Sequence, residues 1–202
     1  MSSIVGHILG GVVTAKATAG NFLPEQRRKF YVLAALVSLL PDLDVVIFIL
    51  FRPLNMTPHR GASHSLLFAA FSAMLVTFLC ARFFSLTRLR LFSCVFAAYC
   101  SHLILDYLMG SGPEILFFWP FSDLGYLSPV QVVPTAFYGL SVNGFRDIIL
   151  SRATYIGVAL ELVILVPLFY LPEAKTWKQR VDYLAVTTAG IIATLALYPG
   201  SR

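Results

Sequence analysis

Charge is scarce in this sequence: 15 Lys+Arg and 10 Asp+Glu in 202 residues leave it 12% charged, against 58% hydrophobic residues and a mean hydropathy of +0.79. That is too little polar surface to cover a soluble globule, so the chain reads as an integral membrane protein. Cysteine is as sparse. Cys80, Cys94 and Cys100 are odd in number and lie in apolar segments, which excludes a disulfide framework or a CxxC metal motif and leaves three small core residues. The net charge of +5 forms no basic stripe with interleaved aromatics, so nucleic acid is excluded as a partner, and the short Lys/Arg clusters between apolar runs read as topology signals. No internal repeat or low-complexity tract divides the chain, and one membrane domain over residues 1–202 accounts for it. Ala15-Lys16-Ala17 and Ala17-Thr18-Ala19 resemble signal-peptidase sites, but no basic residue precedes the first apolar stretch, so that helix is expected to be retained.

Six apolar segments are present, and they predict an all-α, polytopic membrane protein with about six helices in one bundle. The first, residues 4–19, is rich in Gly and Ala and barely reaches the ~20 residues a span needs. Its small side chains let neighbouring helices approach closely, which places it inside the bundle. Residues 30–51 form the second and carry Pro41, Asp42 and Asp44 near the middle, where proline removes a backbone donor and breaks the helix. The third and fourth segments are 65–81 and 91–109; the fifth, 153–171, carries Glu161; the sixth, 183–198, is short. Between 110 and 151 runs a long connection whose Trp and Tyr suit a membrane interface.

Four short polar words break these segments: Gly6-His7, Pro41-Asp42-Leu43-Asp44, His59-Arg60-Gly61-Ala62-Ser63-His64-Ser65 and Ser101-His102 with Asp106. They contain all four histidines. Histidine is the commonest metal-ligating side chain, and a carboxylate at membrane depth is costly enough to need a partner. His102 and Asp106, four residues apart, project from one face of a helix and can meet at one ion. His59 and His64 are five apart and cannot share a regular helical face. A loop-to-helix junction through Gly61, with Ser63 as the cap, brings both onto one cavity. For any one of these residues alone, a helix cap or a hydrogen-bonded core histidine is the ordinary alternative.

Topology supplies an independent test. If the segments alternate across the bilayer, Arg27, Arg28, Lys29, Arg82, Arg88, Arg90, Lys175, Lys178 and Arg180 share one side, and only Arg52, Arg60, Arg146, Arg152 and Arg202 the other. The richer side is the cytoplasmic one. That assignment, made without the histidines, sends all four polar words to the extracytoplasmic half, with His7 and His102 about 10 Å below the outer end of their spans at 1.5 Å per residue. The expected metal ligands are His7, Asp42, Asp44, His59, His64, His102 and Asp106, enough for one closed site or for two ions with open positions. Zinc is the first expectation for mixed nitrogen and oxygen ligands, with manganese or magnesium behind it.

These words, together with the Trp119-Pro120-Phe121 loop, resemble the YdjM-type family of inner-membrane-associated metal-dependent hydrolases over the first two-thirds of the chain. Ala62-Ser63 stands where that family often has Thr before the second histidine, a departure that leaves every ligand in place. The resemblance implies a membrane-bound hydrolase of a bacterial inner membrane. In such an enzyme a bound ion lowers the pKa of its water to about 7. Asp44 or Glu161 is the expected proton acceptor or histidine-orienting group, and Arg60, with its planar fork, the expected anion binder. A phosphoester, as a small molecule or a lipid whose headgroup meets the outer interface, is the expected substrate, and membrane lipid the surrounding partner. Two other classes stay open: an ion- or proton-translocating protein using the same His/Asp cluster, and a scaffold in which the ion only ties helices together.

Overall fold

Helix boundaries in this chain follow local chemistry at each end. The computed structural model describes residues 3–18, 20, 22–44, 60–110, 112–134 and 152–198. Six α-helices lie within them: α1 (Ile4–Thr18), α2 (Pro24–Val37), α3 (Leu66–Cys80), α4 (Arg88–Leu108), α5 (Arg152–Tyr170) and α6 (Trp177–Leu197). Among the described residues there is no strand beyond one isolated bridge between Ile115 and Tyr126. Pro24 opens α2, where a missing N–H costs nothing because the first turn has no acceptor for it. Ser65 and Thr87 cap α3 and α4 by accepting the backbone N–H of Phe68 and Arg90.

Two boundaries differ from those expected. The helix of the second segment, α2, begins six residues ahead of the apolar run, at Pro24, and ends at Val37, just before the break expected at Pro41. The sixth begins at Trp177, because Thr176 and Gln179 form a reciprocal capping box that extends the helix through its polar start.

Among the described residues four helical stretches are long and apolar enough to cross a membrane: Leu66–Phe83, Arg88–Leu108, Arg152–Glu173 and Trp177–Leu197. Their exposed faces carry residues such as Phe71, Phe78, Ile156 and Ile192, as lipid contact requires. The shorter α1 packs against α2, α4 and α5, while α3 lies on α4 and α6 on α5. Close approach explains the glycines of α1. A Cβ on Gly11 would stand 2.7 Å from the Ala34 carbonyl oxygen of α2, and one on Gly10 would stand 2.6 Å from Leu105 Cδ1 of α4. A buried apolar cluster that includes Phe22, Phe30, Ala69, Leu91, Val95 and Tyr99 lies beside this contact.

Candidate metal centre

The break in α2 builds the first part of the site. In a continuing helix the N–H of Asp42 would bond the Ser38 carbonyl; instead it bonds Leu39, and Pro41 has no N–H to offer Val37. The freed Ser38 carbonyl accepts a 2.7 Å hydrogen bond from His102 Nδ1 on α4. A carbonyl only accepts, so Nδ1 carries the proton and the lone pair of His102 sits on Nε2.

His64 is fixed by a different route to the same end. It closes a 3-10 turn, Ala62–His64, which Tyr99 of α4 holds through a 2.6 Å bond from its hydroxyl to the Ser63 carbonyl. Ser63 Oγ donates to Asp44 Oδ2 at 2.8 Å and lies 3.0 Å from His64 Nδ1. Since its one proton goes to Asp44, the hydroxyl accepts from Nδ1, and His64 too turns a lone pair inward at Nε2. Ser63 is thus not the helix cap expected of it; Ser65, whose backbone is extended there, takes that role.

The two Nε2 lone pairs face one another at 3.2 Å. Asp106 Oδ2 lies 3.5 Å from His64 Nε2 and 3.6 Å from His102 Nε2, and Asp42 Oδ1 lies 3.9 and 3.5 Å from the same two atoms. These four donors lie within 4.8 Å of one another. A tetrahedron of nitrogen and oxygen ligands at zinc, with bonds of 2.0–2.2 Å, has edges of roughly 3.3–3.6 Å. The observed spacings bracket that size. Inward lone pairs and carboxylate oxygens this close repel unless a cation lies among them, so the donor set fits a divalent ion.

His7, from α1, enters from the side. Its ring stacks on that of His102 with centroids 3.7 Å apart and planes 14° from parallel, and Nε2 lies 3.6 Å from Asp106 Oδ1 and 3.9 Å from Asp42 Oδ2. Neither nitrogen of His7 has a hydrogen-bond partner among the described residues, and neither does Asp106 Oδ1. All three histidines and Asp106 are buried; Asp42 and Asp44, at 16% and 23% side-chain exposure, are the members that reach the surface.

Arg60 is inside the centre. Its Nε donates to Asp106 Oδ2 at 3.0 Å, its Nη1 to the Pro113 carbonyl at 2.8 Å, and its backbone N–H to Asp44 Oδ2 at 3.4 Å. Its backbone is left-handed, with φ of 74°, a conformation that costs a residue with a side chain about 1–3 kcal/mol. The guanidinium contacts offset that cost and hold Asp106 in register.

Glu161 lies apart from this cluster. Buried on α5, it accepts from the backbone N–H of Ser3 at 2.8 Å and from the Ser3 hydroxyl, while Ser3 Oγ caps α1 through Gly6 N–H and the Ser3 carbonyl accepts from His7 N–H. It anchors the start of the helix that carries His7. His59, Arg52 and Arg146 lie outside the described residues. Ser3 and the Ser38 carbonyl escaped the sequence reading; the break at Pro41 was the available signal for the second, since it frees a carbonyl one turn back.

Helices of membrane length around a buried His/Asp centre of metal-binding geometry define a polytopic membrane protein with a metal-binding group. More particularly, the chain belongs to the YdjM inner membrane protein family, whose model matches residues 1–195. It is 33% identical over 109 residues to inner membrane protein YbcI of Escherichia coli (strain K12), across 52% of this chain and 62% of that protein. The chain thus covers less than two thirds of that relative's length. No solved structure matches it. The family and the apolar helices together make it a multi-pass inner membrane protein.

Proposed function

We propose that this chain is a metal-dependent hydrolase acting at the extracytoplasmic face on a phosphoester or lipid-linked substrate. The observation that carries the reading is the pair of inward imidazole lone pairs, 3.2 Å apart, set between Asp42 and Asp106. Zinc suits that tetrahedron of nitrogen and oxygen donors best. An ion held there that took up a water as a further ligand would acidify it to a pKa of about 7.

The chain's own groups supply the rest. His64, His102, Asp42 and Asp106 hold the ion; the Ser38 carbonyl and the Ser63–Asp44 pair orient the histidines; Arg60 orients Asp106. Asp44 is partly exposed beside the cluster, which suits it to accept a proton from the attacking water. The extracytoplasmic placement rests on the basic residues at the opposite end of the helices: Arg82 between α3 and α4 with Arg88 opening α4, and Lys175 between α5 and α6 with Lys178 in the first turn of α6.

Elemental analysis of detergent-purified protein tests the reading, with His102→Ala and Asp106→Ala compared to wild type after folding is checked. Stoichiometric metal in the wild type and its loss in both variants is the expected result, followed by turnover in a phosphoester screen. Well-folded wild type that takes up no metal after exposure to zinc or manganese overturns it.

A further inference from the structure

The four-donor group uses only half of its two carboxylates. Asp42 turns Oδ1 toward His102 and His64 but Oδ2 toward His7; Asp106 turns Oδ2 toward His102 and His64 but Oδ1 toward His7. Each carboxylate therefore faces two separate sets of imidazole nitrogens, one with each oxygen. That is the arrangement of a bridging ligand.

We propose that the centre binds two divalent ions, the second held by His7 Nε2, Asp106 Oδ1 and Asp42 Oδ2, with both aspartates bridging. The proposal rests on the metal-binding reading given above and adds a second ion to it. Three observations carry it. First, His7 and His102 are stacked at 3.7 Å and 14°, and both direct Nε2 between the same two carboxylates. Ions on two such nitrogens are separated by about the stacking distance, and paired catalytic ions lie ~3.5–4 Å apart. Second, Asp42 and Asp106 already bring the donors beside His64 and His102 to four, so His7 is not needed to hold the first ion. Third, among the described residues His7 is fully buried with no hydrogen bond at either nitrogen, and the carboxylate oxygen nearest it, Asp106 Oδ1, is likewise without one. Buried polar atoms left so are costly, and an ion on both offsets that cost.

Among the described residues three ligands face the second ion, against four for the first, so within that set the second is the more open of the two, with positions for water or a substrate oxygen. A pair of ions at this spacing clamps the attacking and leaving oxygens of a phosphoester, which makes a phosphoester the substrate class, whether free or in a lipid headgroup.

The test uses manganese as the probe on the full-length protein in detergent. After loading with Mn2+ and desalting, metal is counted by elemental analysis and the electron paramagnetic resonance spectrum is recorded for wild type and His7→Ala. Two ions per chain with an exchange-coupled spectrum in wild type, falling to one uncoupled ion in His7→Ala, is the expected result. One uncoupled ion in wild type overturns the second site and leaves a mononuclear centre standing. No ion at all overturns both this proposal and the metal reading beneath it. Wild-type stoichiometry and coupling decide even if the variant fails to fold.

Discussion

Gly11→Ala is the substitution that most directly couples helix packing to the metal. An alanine Cβ at this position would lie 2.7 Å from the Ala34 carbonyl oxygen, 2.7 Å from Ser38 Cβ and 2.6 Å from Ser38 Oγ. Two of these neighbours belong to backbone or to its first side-chain carbon, so no rotamer change relieves the overlap. Ordinary contact begins near 3.4 Å, so α1 and α2 must part by about 0.7 Å. Ser38 moves with α2, and the 2.7 Å bond from His102 Nδ1 to its carbonyl lengthens to as much as about 3.4 Å, which weakens it sharply. Overpacking of this kind costs about 1–3 kcal/mol, and loss of a histidine's orienting partner costs metal affinity roughly 10–100-fold. The assay is competition for zinc against a chromophoric chelator, with a thermal melt in the same detergent. Gly10→Ala and Gly20→Ala serve as controls: the first crowds the flexible tip of Leu105 and meets Ser101 Oγ only at ordinary contact distance, the second meets nothing within 4 Å. Gly11→Ala should weaken zinc binding well beyond Gly10→Ala, and Gly20→Ala should match wild type. Equal zinc affinity in all three would refute the link between the α1–α2 contact and the orientation of His102.

Two further outcomes follow from neighbouring serines and from the ion itself. Ser63→Ala removes the group between His64 and Asp44 and should lower zinc affinity about 10–100-fold, whereas Ser65→Ala removes only the α3 cap, lowering stability by about 1 kcal/mol with metal affinity unchanged in the same competition assay. Metal saturated at a hundred times its dissociation constant stabilises the fold by about 2.7 kcal/mol, so chelation should lower the melting midpoint of wild type and leave His102→Ala unmoved.

Much of the site was legible because its chemistry is local in sequence. His102 and Asp106 are one helical turn apart, and a proline beside two aspartates in an apolar run announces both a break and a need for partners. The start of α6 was legible too, in the Thr176–Gln179 spacing, although hydropathy alone placed it later. What the sequence hid is what depends on backbone or on distance. The Ser38 carbonyl has no side-chain signature. The left-handed backbone of Arg60 is disfavoured for its residue type and is legible only once Asp106, Pro113 and Asp44 are seen to hold it. Glu161 finds Ser3 across 158 positions, so its depth in the membrane suggested a role in the centre, while its contacts lie at the start of α1.

That long-range contact also sets an order of events during synthesis. At 15 residues α1 is marginal as a free-standing helix, and the carboxylate that secures its beginning is encoded near the other end of the chain. His64, His102 and the two aspartates emerge together well before Glu161 does, whereas His7, made first, gains its anchor last. A nascent chain still lacking its fifth helix therefore carries the ligands, with α1 packed on α2 and α4, but without the Glu161 contact that secures the start of α1.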